Sequence, residues 1–181
     1  MTAKVSDCRG SEVLEAALVL PLMFILLLGI FWVGRAYNIY AAMNHAAREG
    51  ARTAGNPSCA TCGNTAPTGD VIATQSVAPA LQASGLDPSL VTYTTPYFCP
   101  CGVTACASPV ACDSAGTGAV PSICVQYNVD MGVPNYSPPV CGTAVSFQYP
   151  LKMPMLPWIP YGVADYSNIV LKTQVEARYE Q

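Results

Sequence analysis

From Ala16 to Gly34 the chain runs 19 residues without a charge, and Leu, Ile, Val and Phe dominate the run. At about 1.5 Å per residue this spans close to the ~30 Å of a bilayer core. The pattern predicts a membrane helix that is retained. A cleavable secretory signal has a shorter apolar core and then small residues at an A-x-A-like site. Here the run closes on Trp32-Val33-Gly34-Arg35-Ala36-Tyr37, aromatic groups and an arginine suited to the membrane interface. Two features are unusual for a plain anchor. Pro21 removes a backbone donor inside the run. Glu15 stands at its edge, where a carboxylate is costly unless it reaches the headgroups or a partner.

Beyond the run, Arg35 to Ala54 holds seven alanines and no proline, so the helix is expected to continue, weakened at Gly50 and Gly55, until Pro57 stops it. Residues Asn56 to Gly69 form a loop rich in Pro, Gly, Thr and Ser. Asp70 to Ser84 reads as a short second helix that starts on an acid, contains Pro79 and stops at Gly85. The period then changes to two. Ile123, Val125, Tyr127 and Val129 alternate with Cys124, Gln126, Asn128 and Asp130. Val145, Phe147 and Tyr149 alternate with Ser146 and Gln148. Ile169, Leu171, Thr173, Val175 and Ala177 alternate with Val170, Lys172, Gln174, Glu176 and Arg178. Each is the pattern of a strand with one buried face. A weaker candidate, Leu90 to Phe98, is interrupted by Pro96 and suits an edge. The expected fold class is therefore α+β: a long N-terminal transmembrane helix, a short helix, and an antiparallel sheet of three or four strands packed on helix. The domains expected are a leader over 1–10, a long helix over 11–55 with its membrane part at 16–34, and an extracytoplasmic α+β domain over 56–181.

Composition sharpens this picture in two ways. Beyond Asn56 the acids are Asp70, Asp87, Asp113, Asp130, Asp165, Glu176 and Glu180, against Lys152, Lys172 and Arg178, a net charge of −4. No basic patch is present to neutralise phosphates, which argues against nucleic-acid binding. Of nine cysteines, Cys8 precedes the apolar run. Cys59, Cys62, Cys99, Cys101, Cys106, Cys112, Cys124 and Cys141 follow it. An even set on one side of a membrane segment reads as a disulfide framework in an oxidising compartment, with its pairing left open by the spacing. Such bridges would fasten the long Cys-, Pro- and Gly-rich connections, Cys99 to Pro121 and Tyr136 to Gly142. The tract Leu151 to Tyr161, broken by three prolines, is read as packing on the domain's own core, ahead of a membrane-surface or partner contact.

The tract Arg9-Gly10-Ser11-Glu12-Val13-Leu14-Glu15-Ala16 resembles the prepilin-peptidase signal of type IV pilin-like proteins, in which cleavage follows the glycine. The glutamate at the fifth mature position would be Glu15. Flp-type major pilins carry a tyrosine after it, where this chain has Ala16. The resemblance extends through Gly29 to Tyr37 and through Asn44-His45-Ala46-Ala47-Arg48-Glu49-Gly50-Ala51-Arg52, a string similar to the TadE-like pseudopilins of the tight-adherence (Tad/Flp) pilus system. It implies processing at Gly10 and Ser11 and assembly roles for Glu15, Arg35, Arg48, Glu49 and Arg52. It also implies a single-pass protein of the bacterial inner membrane with its C-terminal domain outside the cytoplasm, incorporated in a pilus or its assembly apparatus. The implied partners are the prepilin peptidase, other pilins and pseudopilins, the inner-membrane assembly platform and membrane lipid.

Enzymatic chemistry finds little purchase. Cys59-x-x-Cys62 lacks the second pair or the histidines of a zinc site, and the strand-to-helix setting of a redox pair. His45, the sole histidine, has no Ser-His-acid or metal-helix motif around it. No enzyme, cofactor, metal or small-molecule substrate is expected. The rival readings are a filament-forming major pilin, a non-pilin anchored disulfide-rich binding domain, and a secreted protein with a long signal.

Overall fold

A computed structural model describes residues 9–55, 66–94, 98–102, 112, 114–115, 120–132, 140–151 and 169–178. The tract 1–8, the loop 56–65, Cys59, Cys62, Cys106 and the proline-broken tract beyond Leu151 lie outside the described residues.

Helix α1 (Arg9–Gly55) takes in 47 residues, with Pro21 inside it. The chain divides into two compact units, Met1–Asn38 and Ile39–Gln181. In the first, α1 exposes most of its large apolar side chains, from Val13 and Leu14 through Phe24 and Leu27 to Phe31 and Val33. It is long and apolar enough to cross a membrane.

The second unit takes in the end of α1, a second helical run and the sheet. The second run comprises α2 (Gly69–Ile72), a π-helical stretch (Ala73–Val77) and α3 (Ala78–Ala83). These bounds match the expected helix, and its interior is π-helical because of Pro79. The proline falls in the first turn of α3, and the wider turn before it absorbs the mismatch that a missing N–H and a bulky ring impose. Gly85, at φ +72°, ends the run. Its N–H donates to the Gln82 carbonyl at 2.9 Å and that of Leu86 to the Leu81 carbonyl at 3.0 Å, a left-handed glycine stop.

The sheet is antiparallel, in the order β1 (Ser114–Ala115), β2 (Cys124–Asp130), β3 (Cys141–Leu151), β4 (Ile169–Arg178). Strand β4 alternates as its sequence does, with Thr173 buried and Lys172, Gln174, Glu176 and Arg178 exposed. Strand β3 sets Val145, Phe147 and Tyr149 into the core, and its other face is also covered, Ala144 and Ser146 being buried as well.

Two strand expectations are corrected. In β2 the alternation breaks: Gln126 pairs with Ala144 but Val129 with Gly142, so three steps on β2 match two on β3. This one-residue bulge includes Asn128 at φ +52°. It turns Val129 away from Ile123 and Val125, onto the opposite face, where it packs with Phe98 and Ala144. The candidate Leu90 to Phe98 forms no strand among its described residues. Asp87 accepts from the Ser89 N–H and starts a 3-10 turn, Pro88–Leu90. Among the described residues Thr92 then bridges to β3, trading two backbone hydrogen bonds with Gln148 at 3.0 and 2.8 Å. It fits there because β2 begins opposite Ser146 and leaves the next part of β3 open on that side. The fourth strand is instead β1, inside the cysteine-rich connection.

The core lies between the helices and the inner face of the sheet. It joins Met43, Ala46, Ala47, Ala51 and Ala54 of α1 to Ile72, Val77 and Leu81, and to Ile123, Val125, Val145, Phe147 and Tyr149. Two disulfides fasten the outer connections at strand starts. Cys101 joins Cys141, the first residue of β3, and Cys112 joins Cys124, the first residue of β2. Cys99 is also disulfide-bonded.

Candidate functional site

The residues singled out by sequence fall on α1, which presents two different surfaces. Gly10 and Ser11 lie in its first turns. Glu15 is exposed among exposed apolar neighbours. A carboxylate on such a surface is tolerated in water and costly in lipid, so it acts as a polar mark at one end of an apolar shaft. At the other end of the run, Trp32 packs edge-on against Phe31, ring centroids 5.7 Å apart. The Arg35 guanidinium carbon lies 5.8 Å from the Trp32 ring centroid. That arrangement lets Arg35 keep its charge at an interface while its stem covers aromatic surface.

In the second unit α1 becomes amphipathic in a particular way. Ala46, Ala47, Gly50, Ala51 and Ala54 recur at helical spacing and are buried. They bring the helix close to its neighbours: a Cβ at Gly50 would stand 2.8 Å from Val77 Cγ2. Polar contacts register the seam. The Thr143 hydroxyl donates to the Ala51 carbonyl at 3.2 Å, that of Ser76 to Thr53 Oγ1 at 2.8 Å, and that of Thr173 to Asn44 Oδ1 at 2.7 Å. Sequence reasoning took Gly50 only as a weak point in the helix and did not single out Asn44. The recurrence of Gly50 with the alanines at i−4 and i+4 was the available signal.

The opposite face carries His45, Arg48, Glu49 and Arg52, all exposed. The four recur at helical spacing on that face, and among the described residues none of the three charged ones forms an ion pair. Glu15 and Arg35 belong to the other unit.

A concave pocket of about 360 Å³ lies elsewhere, between Phe98–Cys101 and Gln126–Val129. Its lining holds no carboxylate, imidazole or amine, and the Tyr127 hydroxyl donates to the Pro67 carbonyl. Among the described residues no three His, Cys, Asp or Glu side chains are grouped to hold a metal. Helix α1 thus carries an exposed apolar stretch and, further on, exposed charges.

The family model described as TadE-like protein matches residues 10–52. This segment is TadE-like. The match runs from the first turns of α1 to Arg52. The family suggests a pilus-associated, membrane-anchored protein. No curated protein and no solved structure matches the chain. Within the TadE-like segment the small residues serve the fold of this chain, whereas the charges between them are left at the surface.

Proposed function

We propose that the chain is a minor pilin or pseudopilin of a Tad-type pilus or secretion apparatus. Helix α1 anchors it in the bacterial inner membrane, and the disulfide-bonded unit stands outside the cytoplasm. The observation that carries this reading is the coincidence of the TadE-like match, residues 10–52, with a helix whose apolar part is exposed and whose end builds a domain core. The role is structural. A prepilin peptidase trims the chain after Gly10, leaving Ser11 with a free amine. In a bundle with other pilins that amine on one subunit pairs with Glu15 on another and offsets the cost of burying a carboxylate in lipid. The patch of Arg48, Glu49 and Arg52 then faces neighbouring subunits or the assembly platform, where charge sets orientation and partner choice more than raw affinity.

The deciding experiment is the N-terminus and non-reduced intact mass of protein extracted from membranes. A start at Ser11 is the expected result. A start at Met1 refutes peptidase processing and makes the chain an ordinary anchored domain, while a start beyond Arg35 makes it a secreted one.

A further inference from the structure

Strand β4 is the last strand of the sheet, paired on one side with β3. Which of its backbone groups point outward follows from the hydrogen bonds of Gln148. Both the N–H and the carbonyl of Gln148 bond Thr92, on the side away from β4. The pair Gln148–Lys172 is therefore a non-hydrogen-bonded pair of the antiparallel ladder, and Phe147–Thr173 and Tyr149–Leu171 are the bonded ones. The odd-numbered residues of β4 thus spend their backbone groups on β3. Those of Val170, Lys172, Gln174, Glu176 and Arg178 point to the outer edge, and among the described residues nothing bonds them there.

These same five residues carry the exposed side chains of β4. Charged edge residues ordinarily deter pairing. Here their order restricts it. A second β4, run antiparallel, can satisfy the outward groups only where even-numbered residues meet even-numbered ones. Centring the pair on Lys172 sets lysine against lysine, and centring it on Glu176 sets glutamate against glutamate. Setting Gln174 opposite Glu176 brings Lys172 against Arg178. Setting Lys172 opposite Gln174 leaves both charges without an opposite partner. Setting Glu176 opposite Arg178 pairs opposite charges but overlaps only residues 176–178 of each strand. Centring on Gln174 sets Lys172 of each copy against Glu176 of the other, and Gln174 against itself.

We propose that the outer edge of β4 binds a second copy of this chain, the two strands running antiparallel about Gln174 and joining two four-stranded sheets into one. The pairing two-fold is perpendicular to the sheet, so both helix layers lie on the same face of the joined sheet. The inference goes beyond the pilus reading and does not depend on it.

The test is disulfide trapping in the full chain, in its membrane. At this register the two Gln174 Cα atoms lie about 5.5 Å apart, within the range a disulfide accepts. Gln174→Cys is expected to give a covalent dimer on a non-reducing gel, with peptide mapping retaining the Cys101–Cys141 and Cys112–Cys124 bridges. Lys172→Cys or Glu176→Cys alone places its thiols about 14 Å apart and is expected to remain monomeric, whereas the two co-expressed are expected to cross-link. In the Gln174→Cys background, Lys172→Glu turns two opposite-charge pairs into like-charge pairs and is expected to lower the dimer fraction roughly tenfold. Adding Glu176→Lys is expected to restore it. The proposal is overturned if natively bridged Gln174→Cys stays monomeric, if all three single variants cross-link equally, or if Gln174→Cys is trapped on a different protein.

Discussion

Gly50 marks a close approach of α1 to the second helical run, because only a residue without a Cβ lets Val77 seat 2.8 Å from where that carbon would be. Alanine has the higher helix propensity by roughly 1 kcal/mol, yet Val77 is β-branched and has little freedom to turn aside. The steric term is expected to prevail. Gly50→Ala should destabilise the domain by about 1 kcal/mol and Gly50→Val by about 3 kcal/mol. Denaturant melts of the detergent-solubilised protein measure this, and an alanine variant more stable than the parent would show that the seam relaxes. The neighbouring charges obey a different logic. Arg48, Glu49 and Arg52 lie at the surface, so replacing them with alanine is expected to change stability by less than about 0.5 kcal/mol. The same substitutions are expected to reduce recovery of pilus-assembly partners by co-purification, and loss of folding instead would reassign them to the domain's own architecture.

At the scale of elements, the disulfides and the sheet share the task of holding long connections. Cys101–Cys141 closes a separation of 40 residues and Cys112–Cys124 one of 12. By loop entropy alone, removing the first should cost about 4 kcal/mol and the second about 3 kcal/mol. Paired Cys→Ser variants followed by urea unfolding test the order, and a costlier loss at Cys112–Cys124 would point to structure retained in the unfolded chain. The elements were legible in sequence where one physical demand dominated. The apolar run had to be a helix, and β4 had to alternate because only one of its faces is covered. The β2 register was not legible, since a bulge is stabilised by tertiary pairing and Asn128 is merely one residue that tolerates positive φ. Strand β1 was hidden because two residues carry no period. Thr92 could not be foreseen as a bridge, since the opening it fills exists only where β2 begins late. On α1 the alanines and the charges were both visible, but which of them faces the core depends on where the sheet docks.

For the molecule as a whole, one helix supplies both an exposed apolar surface and part of a folded core. A change in the exposed stretch that precedes the core should therefore act on association and leave the domain's fold alone. Glu15→Ala is the direct case. On the proposed pilin reading it is expected to leave trimming after Gly10 largely intact and to weaken assembly with partner subunits, read as the fraction of partners that co-purify. Unchanged co-purification would remove Glu15 from the assembly mechanism.

The seam between α1 and the sheet also sets a timetable for folding. Ala51 meets Thr143 across 92 residues, and Asn44 meets Thr173 across 129. A chain made from its N-terminus therefore delivers the helix long before the strands that cover its small-residue stripe. Contacts of such sequence separation are slow to form, so the nascent chain holds an uncovered alanine-glycine stripe until its last strand emerges. Shortening the chain before residue 173 should therefore leave that stripe without its full sheet, and the protein dependent on chaperones or exposed to proteases at the membrane surface.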